Sequence, residues 1–88
     1  MNYRKIEGML VKAPEKLKNN RKGEPVCKLV VFDELDEIDK PLKAEGINAK
    51  EAMEELGIGD TVETICHETE RHYIIDIMLR KSKFKKGA

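Results

Sequence analysis

The chain has no tryptophan, a single serine (Ser82), and only two cysteines, Cys27 and Cys66. With two Phe and two Tyr as its only aromatic residues, it must build its core from aliphatic side chains. The cysteines stand far apart with no Cys-x-x-Cys, which argues against a disulfide framework and fits a reducing cytoplasm. No apolar run approaches the ~18 residues needed to span a bilayer, and the N-terminus lacks the apolar stretch of a signal peptide. Neither membrane insertion nor secretion is expected.

Catalysis finds little to work with. Cys66 and His67 are neighbours on a strand-like run and so point to opposite faces, where the imidazole cannot take the thiol proton. Cys27, Cys66, His67 and His72 lack the close paired spacing of zinc ligands, and buried cysteines acting as small hydrophobes are expected instead. Gly57-Ile58-Gly59-Asp60 lacks the Lys and Ser/Thr that would follow in a phosphate loop. The acidic run Asp33, Glu34, Asp36, Glu37 and Asp39 has neither EF-hand spacing nor a glycine within it, and reads as an exposed turn. No enzyme activity, cofactor or metal is expected.

What is abundant is charge, at 39% of the 88 residues, with a formal net of zero. A chain of this length makes one domain that buries about 60 to 65% of its unfolded surface. The charge is distributed in blocks: residues 1–32 carry +5, residues 33–70 carry −10, and residues 71–88 carry +5. The two basic ends suit one positive surface facing a polyanion, with the acidic middle turned away. The plainer alternative is a set of solvated faces on a charge-rich protein.

Period-two alternation marks strand one from about Arg4 to Lys12, with Ile6, Gly8 and Leu10 on one face. Gly8 inside a strand predicts a bend, a bulge or a close backbone approach. Strand two runs from Val26 to Phe32, with Cys27, Leu29 and Val31 toward the core and Val26, Lys28, Val30 and Phe32 on the other face. Between them Pro14 stops regular pairing, and Lys12, Lys16, Lys18, Arg21 and Lys22 make a mobile polycationic loop around Asn19 and Asn20. Such a loop serves either solubility or phosphate contact. A helix is predicted from Asn48, with Asn48 as N-cap and Glu51 completing a capping box. Ala49, Ala52, Met53 and Leu56 form its apolar stripe, and Gly57 ends it.

Thr61–Glu68 reads as the next strand, with Val62, Thr64 and Cys66 on one face. A hairpin through Thr69–Arg71 leads into a last strand, His72–Arg80. There Tyr73, Ile75, Ile77 and Leu79 form the stronger apolar face and Ile74 and Met78 the other. A strand apolar on both sides needs a cover, either another subunit or a ligand. The closing segment, with Lys83, Lys85 and Lys86 around Phe84, continues that strand or forms a basic tail.

Gly8-x-Leu10-x-x-x-Pro14-Glu15, followed by Gly23-x-Pro25-Val26-x-Lys28-Leu29 and then by Leu56-x-x-Gly59-Asp60-x-Val62, resembles the bacterial single-stranded DNA-binding proteins and the related primosomal replication protein B family. The resemblance implies an oligonucleotide-binding (OB) fold, all-β with one helix: a five-stranded barrel in which the helix lies between strands three and four and plugs one end. It requires a third strand in Asp33–Ile47, placed here near Asp39–Ala44. Leu35, Ile38 and Leu42 are spaced more like a helical turn, but Pro41 and Gly46 interrupt any long helix. Asp33–Asp36 is then a turn or the frayed end of strand two. Residues 1–81 would form the OB domain and 82–88 a basic tail.

The function implied is binding of single-stranded nucleic acid, DNA before RNA, without strong sequence preference. Lys12, Lys16, Lys18, Arg21, Lys22, Lys28, Arg71, Lys83, Lys85 and Lys86 would contact phosphates. Phe32 and Tyr73 would stack bases, with Tyr3 and Phe84 as further candidates. The sequence departs from the family in lacking the stacking tryptophans, and its basic end replaces the acidic tip through which those proteins recruit partners. A homo-oligomer joined through strand one or strand five is expected. Two other readings stay open: an OB-fold protein–protein adaptor in a replication or phage-encoded assembly, and an RNA-binding OB domain.

Overall fold

The computed structural model describes residues 2–84. In chain order it contains β1 (Tyr3–Leu10), β2 (Glu15–Leu17), β3 (Val26–Asp33), β4 (Ile38–Glu45), α1 (Ile47–Glu55), β5 (Thr61–Glu68) and β6 (Tyr73–Ser82). The strands hydrogen-bond in the order β1-β5-β6-β4-β3-β2, and β1 also pairs with β3. That second pairing closes five strands into an OB-type barrel, with β2 as an extra strand outside the closure. The pairs are antiparallel except β4 with β6, a short parallel seam at Leu42–Tyr73 and Lys43–Ile74.

Closure depends on Gly8, which pairs with Val62 of β5 on one side and Asp33 of β3 on the other. A Cβ at this position would lie 1.7 Å from the carbonyl oxygen of Phe32. Only glycine lets the two backbones approach so closely, as its place inside a strand predicts. The alternation of β1 and β3 then turns Ile6, Leu10, Cys27, Leu29 and Val31 inward, all fully buried, against Leu42, Ala44, Val62 and Cys66.

The expected third strand is present as β4. The turn before it, Glu34–Glu37, carries no helix; it is closed by Glu37 N–H to the Asp33 carbonyl (2.7 Å) and Leu35 N–H to the Asp33 carboxylate (3.0 Å), among other bonds. The basic connection holds more regular pairing than expected of it after Pro14. Beyond Pro14 the chain resumes pairing as β2, with Glu15 opposite Lys28 and Leu17 opposite Val26. Asn20 then organises the turn that follows, its side-chain oxygen accepting from Lys22 N–H and Glu24 N–H, each at 3.0 Å.

Helix α1 covers one end of the barrel with Ala49, Ala52 and, just past its end, Leu56. The capping box does not form. Gly46, at φ 62°, is the N-cap, and no side chain caps the helix. Asn48 lies within the first turn instead and donates to the carbonyls of Ile75 (3.4 Å) and Asp76 (3.3 Å), tying the helix to β6.

The last strand corrects a further expectation. Glu63 pairs with Arg80 but Thr64 with Met78, and Ile65 pairs with Ile77 but Cys66 with Ile75, so Leu79 and Asp76 are extra residues in two bulges. Each bulge reverses the in–out alternation. Ile75 remains in the core and Met78 packs against it, while Ile77 and Leu79 are 53% and 51% exposed.

Candidate nucleic-acid interface

On β3, residues 27, 29, 31 and 33 point inward, so Lys28, Val30 and Phe32 share the outer face; on β4, Lys43, Pro41 and Asp39 stand directly opposite them. This face is bordered on one side by β2 and on the other by the β5–β6 hairpin. Between the two borders runs a groove of about 270 Å³. Leu17 and Pro41 give it an apolar floor, and Lys28, Lys43, Arg71 and His72 line it with basic groups. The hairpin that carries Arg71 is held shut by Thr69 and His72: backbone N–H of Thr69 to the His72 carbonyl at 2.8 Å, and His72 N–H to the Thr69 hydroxyl at 3.0 Å.

The strand cations fall into two groups. At the mouth of the barrel away from the helix, Lys40 is buried with its ammonium 2.6 Å from Asp33 and in contact with Asp36, which Arg4 also reaches at 3.3 Å. Burial lowers the Lys40 pKa, but the bonds to Asp33 and Asp36 outweigh it and hold the ammonium above its ordinary value. Burial likewise raises the Asp33 carboxyl, and its bond from Lys40 together with backbone N–H groups brings it below the usual range. Lys81 is held by Glu55 (2.6 Å) and Glu51 (3.2 Å) of the helix. By contrast, no ion pair among the described residues involves Lys28, Lys43 or Arg71; Glu15 faces Lys28 from β2 without pairing to it.

The sequence-predicted residues therefore separate. Lys28 and Arg71 meet in the groove. Phe32 lies on the same face, four residues along β3 and 37% exposed. Lys16 is on β2, with Lys12, Lys18, Arg21 and Lys22 exposed on its flanks. Tyr73 is elsewhere: it packs against the core at the ionic mouth, its ring centroid 5.8 Å from the Arg4 guanidinium and 5.5 Å from the Lys40 ammonium. Tyr3 is exposed and meets the His67 ring edge-on at 6.4 Å.

Lys83 reaches Asp60 at 2.6 Å, and Phe84 donates its N–H to the same carboxylate at 2.8 Å while its ring lies over Gly59. The bond from Lys83, then that from Phe84, holds the Asp60 carboxyl below its ordinary pKa. Lys85 and Lys86 lie outside the described residues. Sequence reasoning missed Lys43 and His72. Lys43 was within reach, since a strand with Leu42 and Ala44 inward must turn Lys43 outward; pairing it with Lys28 required the register.

No protein-family model matches the sequence, and no curated protein sequence does. Solved structures do match in fold. The SSB domain of a Synechococcus protein aligns over 94% of this chain and 96% of its own, with a TM-score of 0.71 at 20% identity. The wild-type single-stranded DNA binding protein from Thermus aquaticus aligns over 100% of this chain, with a TM-score of 0.71 at 20% identity; this chain spans 42% of that protein's length. The second single-stranded DNA binding protein of Mycobacterium smegmatis aligns over 93% of this chain and 84% of its own, with a TM-score of 0.67 at 18% identity. The chain thus shares the OB barrel of these bacterial proteins at low sequence identity.

Proposed function

We propose that this protein binds single-stranded nucleic acid, DNA before RNA, without strong sequence preference. The observation that carries the proposal is the groove over β3 and β4, where Lys28 and Lys43 stand opposite each other beside Arg71 and no described acid pairs with them. Like charges directly opposed on neighbouring strands cost stability. A phosphate between them removes that repulsion, and the apolar floor accepts the sugar and base. Lys12, Lys18, Arg21 and Lys22 extend the positive surface on the flanks of β2, whereas Lys16, opposite inward-facing Cys27, projects from the other side of the sheet to Lys28 and would meet phosphate only as the strand leaves the groove; Phe32 offers a stacking platform. Lys85 and Lys86 would add phosphate contacts from the C-terminal end, whereas Lys83 is already engaged by Asp60. The names of the structural neighbours support the same ligand class. No step of this reading calls for catalysis, a cofactor or a metal.

Self-association belongs to the same proposal. Ile77 and Leu79 expose apolar surface on β6, away from the groove. A second copy covering them would leave each groove open and let one strand engage two barrels.

Fluorescence anisotropy with labelled oligo-dT, oligo-U and duplex DNA across a salt series tests the binding. The expected order is oligo-dT, then oligo-U, then duplex, each weakening as salt rises. Uptake of none of the three at moderate salt would overturn the proposal in favour of a protein adaptor.

A further inference from the structure

One row of the outer face is chemically unlike the rest. Across β1, β3 and β4, Met9 stands opposite Phe32 and Phe32 opposite Asp39. Met9 and Phe32 are 42% and 37% exposed, and Asp39 is exposed as well. A base stacked on Phe32 would thus lie on an apolar platform with a carboxylate at one edge. Beside the Lys28 and Lys43 of the same two strands, an acid at this position repels phosphate, and no ion pair among the described residues engages it.

We propose that Asp39 reads the edge of the base stacked on Phe32, favouring bases that present an amino group over those that present a carbonyl. The inference rests on the nucleic-acid reading of the groove. An ionised carboxylate only accepts hydrogen bonds. On the major-groove edge, away from the ring N3–H that thymine and uracil also donate, cytosine offers it the N4 amino donor and adenine the N6 donor, whereas thymine and uracil present only the O4 acceptor. Two acceptors face to face leave both unpaired, which costs binding where water is displaced. Lys28 lies four residues away on the same face, about 13 Å along the strand. A strand anchored there by its phosphate therefore reaches Phe32 within a short stretch, and phosphate and base take opposite ends of one surface.

Deoxycytidine and deoxyuridine oligomers of equal length isolate the contact, because they differ on the ring only in the amidine or amide edge and carry no methyl group at C5. At neutral pH and one salt concentration, the parent protein should bind oligo-dC about three- to tenfold more tightly than oligo-dU, the net worth of one ordinary hydrogen bond, since the site is partly wet. Asp39→Ala should bring the ratio close to one. Removing the negative charge also strengthens binding of both oligomers, but that general effect cancels in the ratio. Asp39→Asn, which can donate as well as accept, should likewise erase the preference. Equal binding of the two oligomers by the parent, or a ratio unchanged in Asp39→Ala, would overturn this inference and leave the groove standing. Failure of the parent to bind either oligomer would overturn the nucleic-acid reading itself. Asp39 is exposed and outside every ion pair above, so the variants should fold, which circular dichroism checks directly.

Discussion

Two pairs of like charges face each other across strands of this barrel. Glu7 of β1 stands opposite Glu63 of β5, and Lys28 of β3 opposite Lys43 of β4. The acidic pair is bridged within the chain: the Lys5 ammonium lies 2.9 Å from Glu63 and 3.7 Å from Glu7. The basic pair has no such bridge among the described residues and opens onto a groove with an apolar floor. Where repulsion is only structural, the chain supplies its own counter-ion; where it lines the groove, the described residues supply none, and under the proposed function a phosphate would take that place. The same division separates buried Lys40, tied to Asp33 and Asp36, from exposed Lys28.

The strongest test of this contrast is at the buried end. Lys40→Met leaves Asp33 enclosed without its counter-charge and should destabilise the fold by about 3 to 5 kcal/mol in urea denaturation. An equally large loss from Lys28→Met would abolish the distinction. Next is the closure that holds both pairs in place. Gly8→Ala drives a Cβ against backbone rather than against a movable side chain, and should cost about 3 kcal/mol or more. An unchanged melting temperature would mean that β1 and β3 do not meet as described.

Lys28→Ala with Lys43→Ala should lower the slope of log K against log salt by about 1.4, at about 0.7 for each phosphate contact to a single strand. The folded state should be unharmed, or firmer by about 0.2 to 1 kcal/mol once the opposed charges are gone. A salt slope equal to the parent's would show that the groove does not hold phosphate.

The smallest effect is at Asp60. Its folded pKa is depressed by Lys83 and Phe84, so its contribution is present above the ordinary carboxylate range of about 4 and is lost as pH falls through the lower folded value. Acid titration of Asp60→Asn should therefore lose less stability below about pH 4 than the parent does. Parallel acid curves for the two would remove this carboxylate from the account.

Much of the barrel could be read from residue types alone. Gly8 announced a close approach, alternation in β3 sorted its core face, and Ala49, Ala52 and Leu56 marked the helix that plugs one end. What escaped depends on partners distant in the chain. Nothing in Asp76 or Leu79 signals a bulge, because each is the odd residue only relative to the register of β5. Asn48 has the right type and spacing for a cap but is taken by the β6 backbone. Of the proposed phosphate contacts, Lys28 and Arg71 were legible by sign and place. Lys43 became one only when its neighbour across the ladder was known, and Tyr73 is a case where aromatic character said nothing about which side of the sheet it would occupy.

The seam between β4 and β6 has a mechanical consequence. It joins the barrel through two residue pairs, Leu42–Tyr73 and Lys43–Ile74, whereas β4 meets β3 along its whole length. A ring parts first at its shortest joint, so amide hydrogens flanking this seam should exchange with solvent ahead of those in β3. Lys43 stands on one lip of the seam, and Arg71 and His72 lead into the other. An anion gripped from both sides would suture it, and the protection gained there on loading would record occupancy of the groove without any label on the ligand.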